Sequence, residues 1–538
     1  MFEAFRQQAA AQIAGWSLQE KVGQLFILAF PGKDAEAARP LIERYNLGGC
    51  YLSQDNADTF AEARTLTRAM DAMRGADFPP LLLGVDQEGA WSVLSPESTT
   101  GPGNLALGSA DNPQLTAAMY RVFGNEMRSA GFNCVLGPCA DINFQTESPI
   151  IDTRAFGELP TRVASQASAA VHGAHDGGIV ACAKHFPGHG ATSGDTHRDI
   201  PTVDKSGAQL LENDLLPFQA AIRAGVELIM TSHIRYPQID PQHPATLSAP
   251  ILQGLLREQL GFTGLVISDS MNMGAIRRNY APVEATLLAF RAGIDLIMLS
   301  EEHYDHQSDY LDRQLAMVEA VVEAVRDGRF PEADLNAKLV RIVAFKLARL
   351  GKMPLYQDFD LSAHQRIEQQ AAETAVRLLA DPGRHLPLHA GTDTIVIQTT
   401  PQRDYHNLVN ARGIGPNQAT PAFNYFAQTL AALHQRLTVL DHDLARTFLK
   451  TAIPQPGQVV LAVTENYPLP GEDFAQQASA ALVEQLAARF GAQLIVISLR
   501  NGYQPLPEGI GQLCAYSSRP CSAVAAAHAC VASSQAST

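Results

Sequence analysis

One lysine, three histidines and an aspartate crowd into a single glycine-rich stretch, KHFPGHGATSGDTH, residues 184–197. Lys184, His185, His189, Asp195 and His197 all hold or transfer protons, and such density is expected at active sites. The stretch begins at the end of an apolar run, 179–186, that reads as a buried strand, and Gly188, Gly190 and Gly194 then break any regular pattern. A strand therefore runs into a loop. The sharpest chemistry lies with Asp195 and His197. A free imidazole has a pKa of about 6.5 and is a poor proton donor at pH 7 until a neighbouring anion favours the imidazolium. Asp195, two residues away, is placed to accept the Nδ1 proton, fix the tautomer and leave Nε2 toward a substrate. His185, His189, Asp195 and His197 are also legitimate zinc ligands, but their spacing matches no common zinc pattern and a lysine adjoins them. A hydrogen-bonded structural cluster is the other alternative.

The elements that must position this loop follow a rhythm. Short apolar runs of strand length recur at 24–30, 48–52, 81–85, 134–138, 179–186, 228–233, 265–268 and 296–299. Between them lie segments with helical spacing, such as 35–45, 59–73, 113–130, 162–177 and 210–225. Runs buried on both faces, each followed by a helix, predict a parallel sheet, and eight units in about 300 residues fit a (β/α)₈ barrel. The polar residues then fall at the carboxyl ends of the strands: Asp86 on the third, Asp141 after the fourth, Lys184 and His185 on the fifth, His233 on the sixth and Asp269 on the seventh. In such barrels that end is the catalytic rim. Each acid alone reads as a helix cap or a strand-end hydrogen bond, but five strands agreeing predict a convergent ring of acid, base and cation.

After a one-sided apolar helix, 335–350, Gly351 ends the barrel, giving a catalytic domain of residues 1–351. MPLYQDFDLSAH lies in a linker, 352–364, and a helix at 365–379 opens a second domain, 365–538. There, strand-like runs at 394–398, 437–440, 459–463, 494–498 and 513–516 alternate with helices, including 474–490, and predict a smaller α/β sandwich. Its loops carry no cluster comparable with the barrel's. The 538 residues suit more than one domain. At 46% apolar and 18% charged, the composition is globular. Lys and Arg number 40 against 55 Asp and Glu, a net charge of −15, which predicts no nucleic-acid partner and no anionic membrane surface. The opening MFEAFRQQAAAQIAGW reads as a helix rather than a signal peptide, Ser17 and Glu20 read as a capping box, and no apolar run reaches the ~18 residues of a membrane span. Seven scattered cysteines form no disulfide framework and suit a reducing compartment, so the expected location is cytoplasmic.

Several motifs carry a broader resemblance: SLQEKVGQLF near the start, GVDQEG (84–89), SPIIDTRAFGE (148–158), the KHFPGHG loop with its D-T-H, MTSHIRYPQID (230–240), PATLSAPILQGLLREQLGFTGLVISDSMNM (244–273) and AGIDLIM. On these the chain resembles the β-N-acetylglucosaminidase (β-N-acetylhexosaminidase) branch of glycoside hydrolase family 3, over most of residues 17–300. The resemblance implies a TIM barrel followed by an αβα sandwich and a carbohydrate substrate; with the loop's histidines committed to proton transfer and sugar contact, no metal and no cofactor is expected. It places Asp269 at the nucleophile position, His197 at the acid/base and Asp195 as its dyad partner. Asp86, Arg154, Lys184 and His185 match sugar-binding positions, and His233 a supporting rim position. A retaining glycosidase needs one anionic nucleophile and one proton donor that later turns base, normally two carboxyls about 5–5.5 Å apart; His197 would replace the second. One departure stands out. Where the family pattern runs DQEGGRV with a further Arg beyond, this chain continues with Ala90, Trp91, Ser92, Val93 and Leu94. Two expected cations are gone, and Trp91 offers either an aromatic platform for a sugar or simple rim packing.

The implied reaction is exo-hydrolysis of terminal β-linked GlcNAc from cell-wall fragments or chitooligosaccharides. A phosphorylase is the nearest alternative, because a neutral histidine does not repel phosphate as a glutamate would. A β-glucosidase or xylosidase of the same fold would draw its acid/base Glu from the second domain, against which the Asp195 and His197 pair argues. A non-catalytic barrel would have lost Asp269 or His197, and both are present.

Overall fold

Eight short strands, buried along their whole length, make the first sheet: β1 (Phe26–Leu28), β2 (Gly49–Leu52), β3 (Leu82–Val85), β4 (Cys134–Val135), β5 (Val180–Phe186), β6 (Leu228–Thr231), β7 (Leu265–Ile267) and β8 (Ile297–Leu299). The computed structural model describes residues 2–53, 55–89, 97–146, 148, 150–192, 196, 199–300, 309–351, 353, 356, 358–402, 420–465 and 476–531. All neighbouring strands are parallel in the order β7-β6-β5-β4-β3-β2-β1-β8, and a parallel bridge between Ile267 and Leu296 brings β7 against β8 to close the ring. Each strand is buried on both faces because side chains fill the barrel inside while helices cover it outside. The first strand is shorter than its apolar run, since the capped helix Leu18–Gly23 takes up the residues just before it. Ser17 and Glu20 form the capping box there, each satisfying a backbone N–H of the other.

The covering helices start where their caps place them. Thr59 accepts from the Glu62 N–H ahead of Phe60–Met73, and Asn112 from the Leu115 N–H ahead of Pro113–Ala130. The stripe of the first faces the barrel core that runs from Phe2 to Leu350, while Leu115, Met119, Tyr120 and Phe123 of the second pack with Ile142 and Phe156 in a neighbouring cluster, and Met127 and Ala130 join the barrel core. Lys346 lies in that core with no exposure, donating to Gln24 Oε1 at 2.9 Å, and burial pushes its ammonium down to about 7.

The second sheet has six strands in the order β11-β10-β12-β13-β14-β9: β9 (Arg377–Ala380), β10 (Thr394–Gln398), β11 (Leu437–Leu440), β12 (Val459–Thr464), β13 (Leu494–Ser498) and β14 (Gly511–Cys514). All are parallel except β9, which runs antiparallel along the β14 edge. Alternate residues feed two cores. Val396 and Leu461 pack under the helices Ala422–Leu433 and Pro520–Val531, while Ile397 and Val460 pack under His442–Leu449 and Gln476–Phe490. The result is an αβα sandwich.

Two sequence expectations change here. The helix expected at 365–379 spans Leu361–Ala375, because the Asp360 carboxylate accepts from the Ser362 and Ala363 N–H groups and starts it four residues early. Residues 361–364 are thus helix rather than linker. Its expected last turn is instead β9, with Leu378 and Leu379 48% and 47% exposed. All seven cysteines are free, buried thiols. Among the described residues, no helix is long and apolar enough to cross a membrane.

Candidate active site

The carboxyl ends of β3, β5 and β7, with the loop that follows β4, open on one pocket. Asp86, Arg154, Lys184, His185 and Asp269 all line it. Leu136, Ile150, Met230, Met273 and Met298 make its apolar wall, and Tyr51, Ser300 and Thr196 add hydroxyls. Strand alternation puts Asp86 and Glu88, two apart beyond β3, on the same side of the chain.

The pocket floor is an array of alternating charge. Lys184 Nζ lies 2.7 Å from Asp86 Oδ1 and 2.8 Å from Glu88 Oε1. Arg154 grips Glu88 with both Nε and Nη2, at 3.1 and 3.0 Å, the planar fork-to-carboxylate geometry that lysine cannot make. Tyr51 donates its hydroxyl to Asp86 Oδ2 at 2.9 Å. Burial alone would push Asp86 and Glu88 up, yet both carboxyls are held below their ordinary values by the charges of Lys184 and Arg154. Burial likewise works against the Lys184 and Arg154 charges, and their acid partners more than reverse it. The array is therefore locked in its ionised state. Asp86 keeps a fifth of its side chain open to the pocket while Glu88 has none.

A second array lies behind the histidines. The Asp141 carboxylate takes the His185 ring at Nδ1, 2.7 Å away, and both its oxygens accept the His185 backbone N–H at 3.2 Å. It also accepts the His189 N–H at 2.6 Å and the Cys139 thiol at 3.1 Å. Desolvation opposes its charge, and these donors hold the carboxyl well below the usual range all the same. With Nδ1 committed, His185 turns Nε2 toward Arg154 Nη2 at 3.2 Å. His189 is buried between Thr192 and Thr196, and burial above all holds its ring neutral down to about 4. Gly190 is required beside it, since a Cβ there would meet the Ile142 carbonyl oxygen at 1.6 Å. Cys139, Asp141 and His185 are the one group of possible metal donors among the described residues. Its carboxylate is already fully used by hydrogen bonds, and burial keeps the thiol protonated.

Asp269 follows β7 and accepts the Ser270 N–H at 2.7 Å. His233 does not line the pocket. It is fully buried, taking the Thr246 hydroxyl at 2.8 Å and donating from Nε2 to the Ser270 carbonyl at 2.9 Å, so it steadies the turn that presents Asp269. Asp195 and His197 lie outside the described residues, as do Ala90 to Leu94 with Trp91. Thr196, which stands between the dyad residues in the chain, lines the pocket. In the sequence Asp141 reads as a rim acid with no distinct role, and neither Glu88 nor Tyr51 stands out as a site residue. Glu88 stood inside the DQEG motif, but its partner Arg154 is 66 residues away.

Comparison with known proteins bears on what such a pocket does. The profile of the glycosyl hydrolase family 3 N-terminal domain matches residues 17–345. The chain belongs to glycosyl hydrolase family 3. This glycoside hydrolase is 29% identical over 435 residues to a β-hexosaminidase A of Pseudoalteromonas piscicida, covering 77% of this chain and 71% of that one. A β-hexosaminidase of Nitrosomonas eutropha is 34% identical over 263 residues, 48% of this chain and 74% of that one. Among solved structures, a family 3 β-N-acetylglucosaminidase from a Paenibacillus species superposes with a TM-score of 0.82 at 28% identity, over 96% of this chain and 97% of the other. That likeness spans barrel and sandwich together.

Proposed function

We propose that this family 3 enzyme is a retaining, exo-acting β-N-acetylglucosaminidase that removes terminal, non-reducing β-linked GlcNAc. The observation that carries the reading is the convergence of Asp269 with Asp86, Arg154, Lys184 and His185 in one pocket; the relatives named β-hexosaminidase support the sugar. In the first step Asp269 attacks the anomeric carbon while His197 gives a proton to the departing oxygen, and the Asp195 carboxylate stabilises the imidazolium before transfer. In the second, the now neutral His197 takes a proton from water, which attacks the same carbon and frees Asp269 with net retention. Lys184, Arg154, His185 and Asp86 hold the sugar hydroxyls, and that binding energy serves the transition state at the anomeric carbon. No metal or cofactor enters these steps.

The catalytic unit is residues 1–351, and the second unit starts with the helix at Leu361. Seven buried, free thiols support a cytoplasmic setting, where a soluble cell-wall fragment bearing terminal GlcNAc is the fitting substrate. A chromogenic aryl β-GlcNAc glycoside, with and without inorganic phosphate, tests the reading. Release of GlcNAc at a rate indifferent to phosphate is expected. Formation of GlcNAc 1-phosphate would replace hydrolase by phosphorylase, and a preference for the glucoside would overturn the sugar assignment.

A further inference from the structure

We infer that Arg500 and Asn501 of the sandwich are positioning residues for the barrel pocket, acting through Asp152 to aim Arg154. The inference rests on the reading of Arg154 as a sugar contact. Asp152 opens the tight turn Asp152–Arg154, and its backbone has φ +36, in the left-handed region that residues other than glycine avoid. Such a residue persists only where its surroundings over-determine it. Here they do. Its side chain is 2% exposed, and each of its oxygens is taken by the sandwich loop that follows β13: Arg500 Nε reaches Oδ2 at 2.6 Å and Asn501 Nδ2 reaches Oδ1 at 2.8 Å. A carboxylate buried so deeply is tolerable only with partners of this kind.

The same sandwich loop grips the barrel loop a second time, where the Tyr503 hydroxyl donates to Glu158. Between the two grips lies Arg154. Its N–H donates to the Ile151 carbonyl at 2.8 Å, its own carbonyl accepts from Asn104 at 2.7 Å, and its Nη1 returns to the Ile150 carbonyl at 3.1 Å. The guanidinium is therefore anchored at its base by the 150–154 turn, which sets where it meets Glu88 and His185. Neither Asp152 nor Arg500 lines the pocket, and the contact of Arg500 with Asp152 leads to Arg154 through the turn. This gives the sandwich a part in the site although none of its described residues lines the pocket.

The test is a double-mutant cycle in the full-length protein, with R500A, R154A and the pair assayed on an aryl β-GlcNAc glycoside, beside hydrogen exchange of the 150–158 amides. R500A is expected to lower kcat/KM about 10- to 100-fold, as small misplacements of a binding group do, and R500K to recover part of it. In the R154A background, R500A should cost less than about twofold, because the group it acts through is gone. Exchange across 150–158 should quicken in R500A while β1 to β8 stay protected. Independent, additive losses in the cycle, or unchanged exchange in the loop, would overturn the inference. If R500A does not fold, the near-isosteric D152N, whose side chain tolerates the left-handed backbone, enters the same cycle. A wild-type enzyme that ignores the glycoside would sink the proposed function instead, and the exchange measurement would still decide whether the clasp holds the loop.

Discussion

Replacing Glu88 with glutamine keeps the side chain's shape and removes only the charge that Lys184 and Arg154 share. Glu88 is fully buried, with Lys184 Nζ at 2.8 Å and Arg154 at 3.1 and 3.0 Å. At an effective dielectric of about 20, unit charges about 3 Å apart attract by roughly 5 kcal/mol. Removing one member of a buried pair costs about 3–5 kcal/mol, since the other is left without compensation. Asp86 still faces Lys184, which puts the expected loss toward the lower figure. At about 2 °C per kcal/mol for a large domain, E88Q should melt roughly 6 °C below wild type. Activity should fall further than stability, because the two cations that Glu88 spaces apart both line the pocket. The sign of the pH dependence follows from the Glu88 carboxyl being held below its ordinary value by Arg154 and Lys184 against burial. Its contribution is fully present above the unfolded value of about 4.3 and is lost as pH falls toward the folded one. Melting temperatures of wild type and E88Q should therefore differ by a constant amount between pH 6 and 8 and converge in acid. Equal melting temperatures at pH 7, with kcat/KM unchanged, would refute the claim that a buried carboxylate organises the pocket's cations.

His197→Ala should slow an ordinary glycoside far more than an activated aryl one in the glycosylation step, because a good leaving group needs little protonation. Asp195→Ala should be milder and move the alkaline limb of kcat/KM to lower pH, since the imidazolium loses its anion; equal damage to both leaving groups in H197A would count against the assignment. Prolonged dialysis against a chelator should leave the rate unchanged, because Asp141 is already saturated by hydrogen bonds; activity lost and then restored by zinc would contradict this. His189, held neutral to about 4 by burial, has a folded value below its unfolded one, so its proton is taken up preferentially on unfolding. Stability should accordingly decline as pH falls from about 6.5 toward 4, by roughly 3 kcal/mol at 1.36 kcal/mol per pH unit. A urea series across that range reads the loss, and a buried His189→Gln variant should flatten it.

Much of the barrel was legible because its strands are buried on both faces, so runs such as 179–186 and 228–233 stand out as continuous apolar blocks between amphipathic helices. The rim residues Asp86, Lys184 and Asp269 followed from their places at the carboxyl ends of those blocks or just past them. What the sequence concealed depends on distant pairing. Arg377–Ala380 continues the helical spacing of the segment before it, and becomes a strand only because it pairs with β14 more than 130 residues later. Glu88 reads as one more acid in a motif until the fold brings Arg154 and Lys184 to it. His233 sits at a strand end like the pocket residues, yet its ring turns away to the Ser270 carbonyl; that difference of a few ångströms lies below what spacing conveys. Arg500 had no signal at all, since its meaning lies in a carboxylate 348 positions earlier.

A covalent bond from sugar to Asp269 is the step on which retention depends. Incubating the full-length enzyme with a fluorinated, slowly turned over GlcNAc donor should trap the glycosyl enzyme, and peptide mapping should place a single sugar on Asp269 in the VISDSMNM peptide, absent from Asp269→Ala. A label on any other residue, or turnover without a trappable adduct and with inverted product, would contradict it.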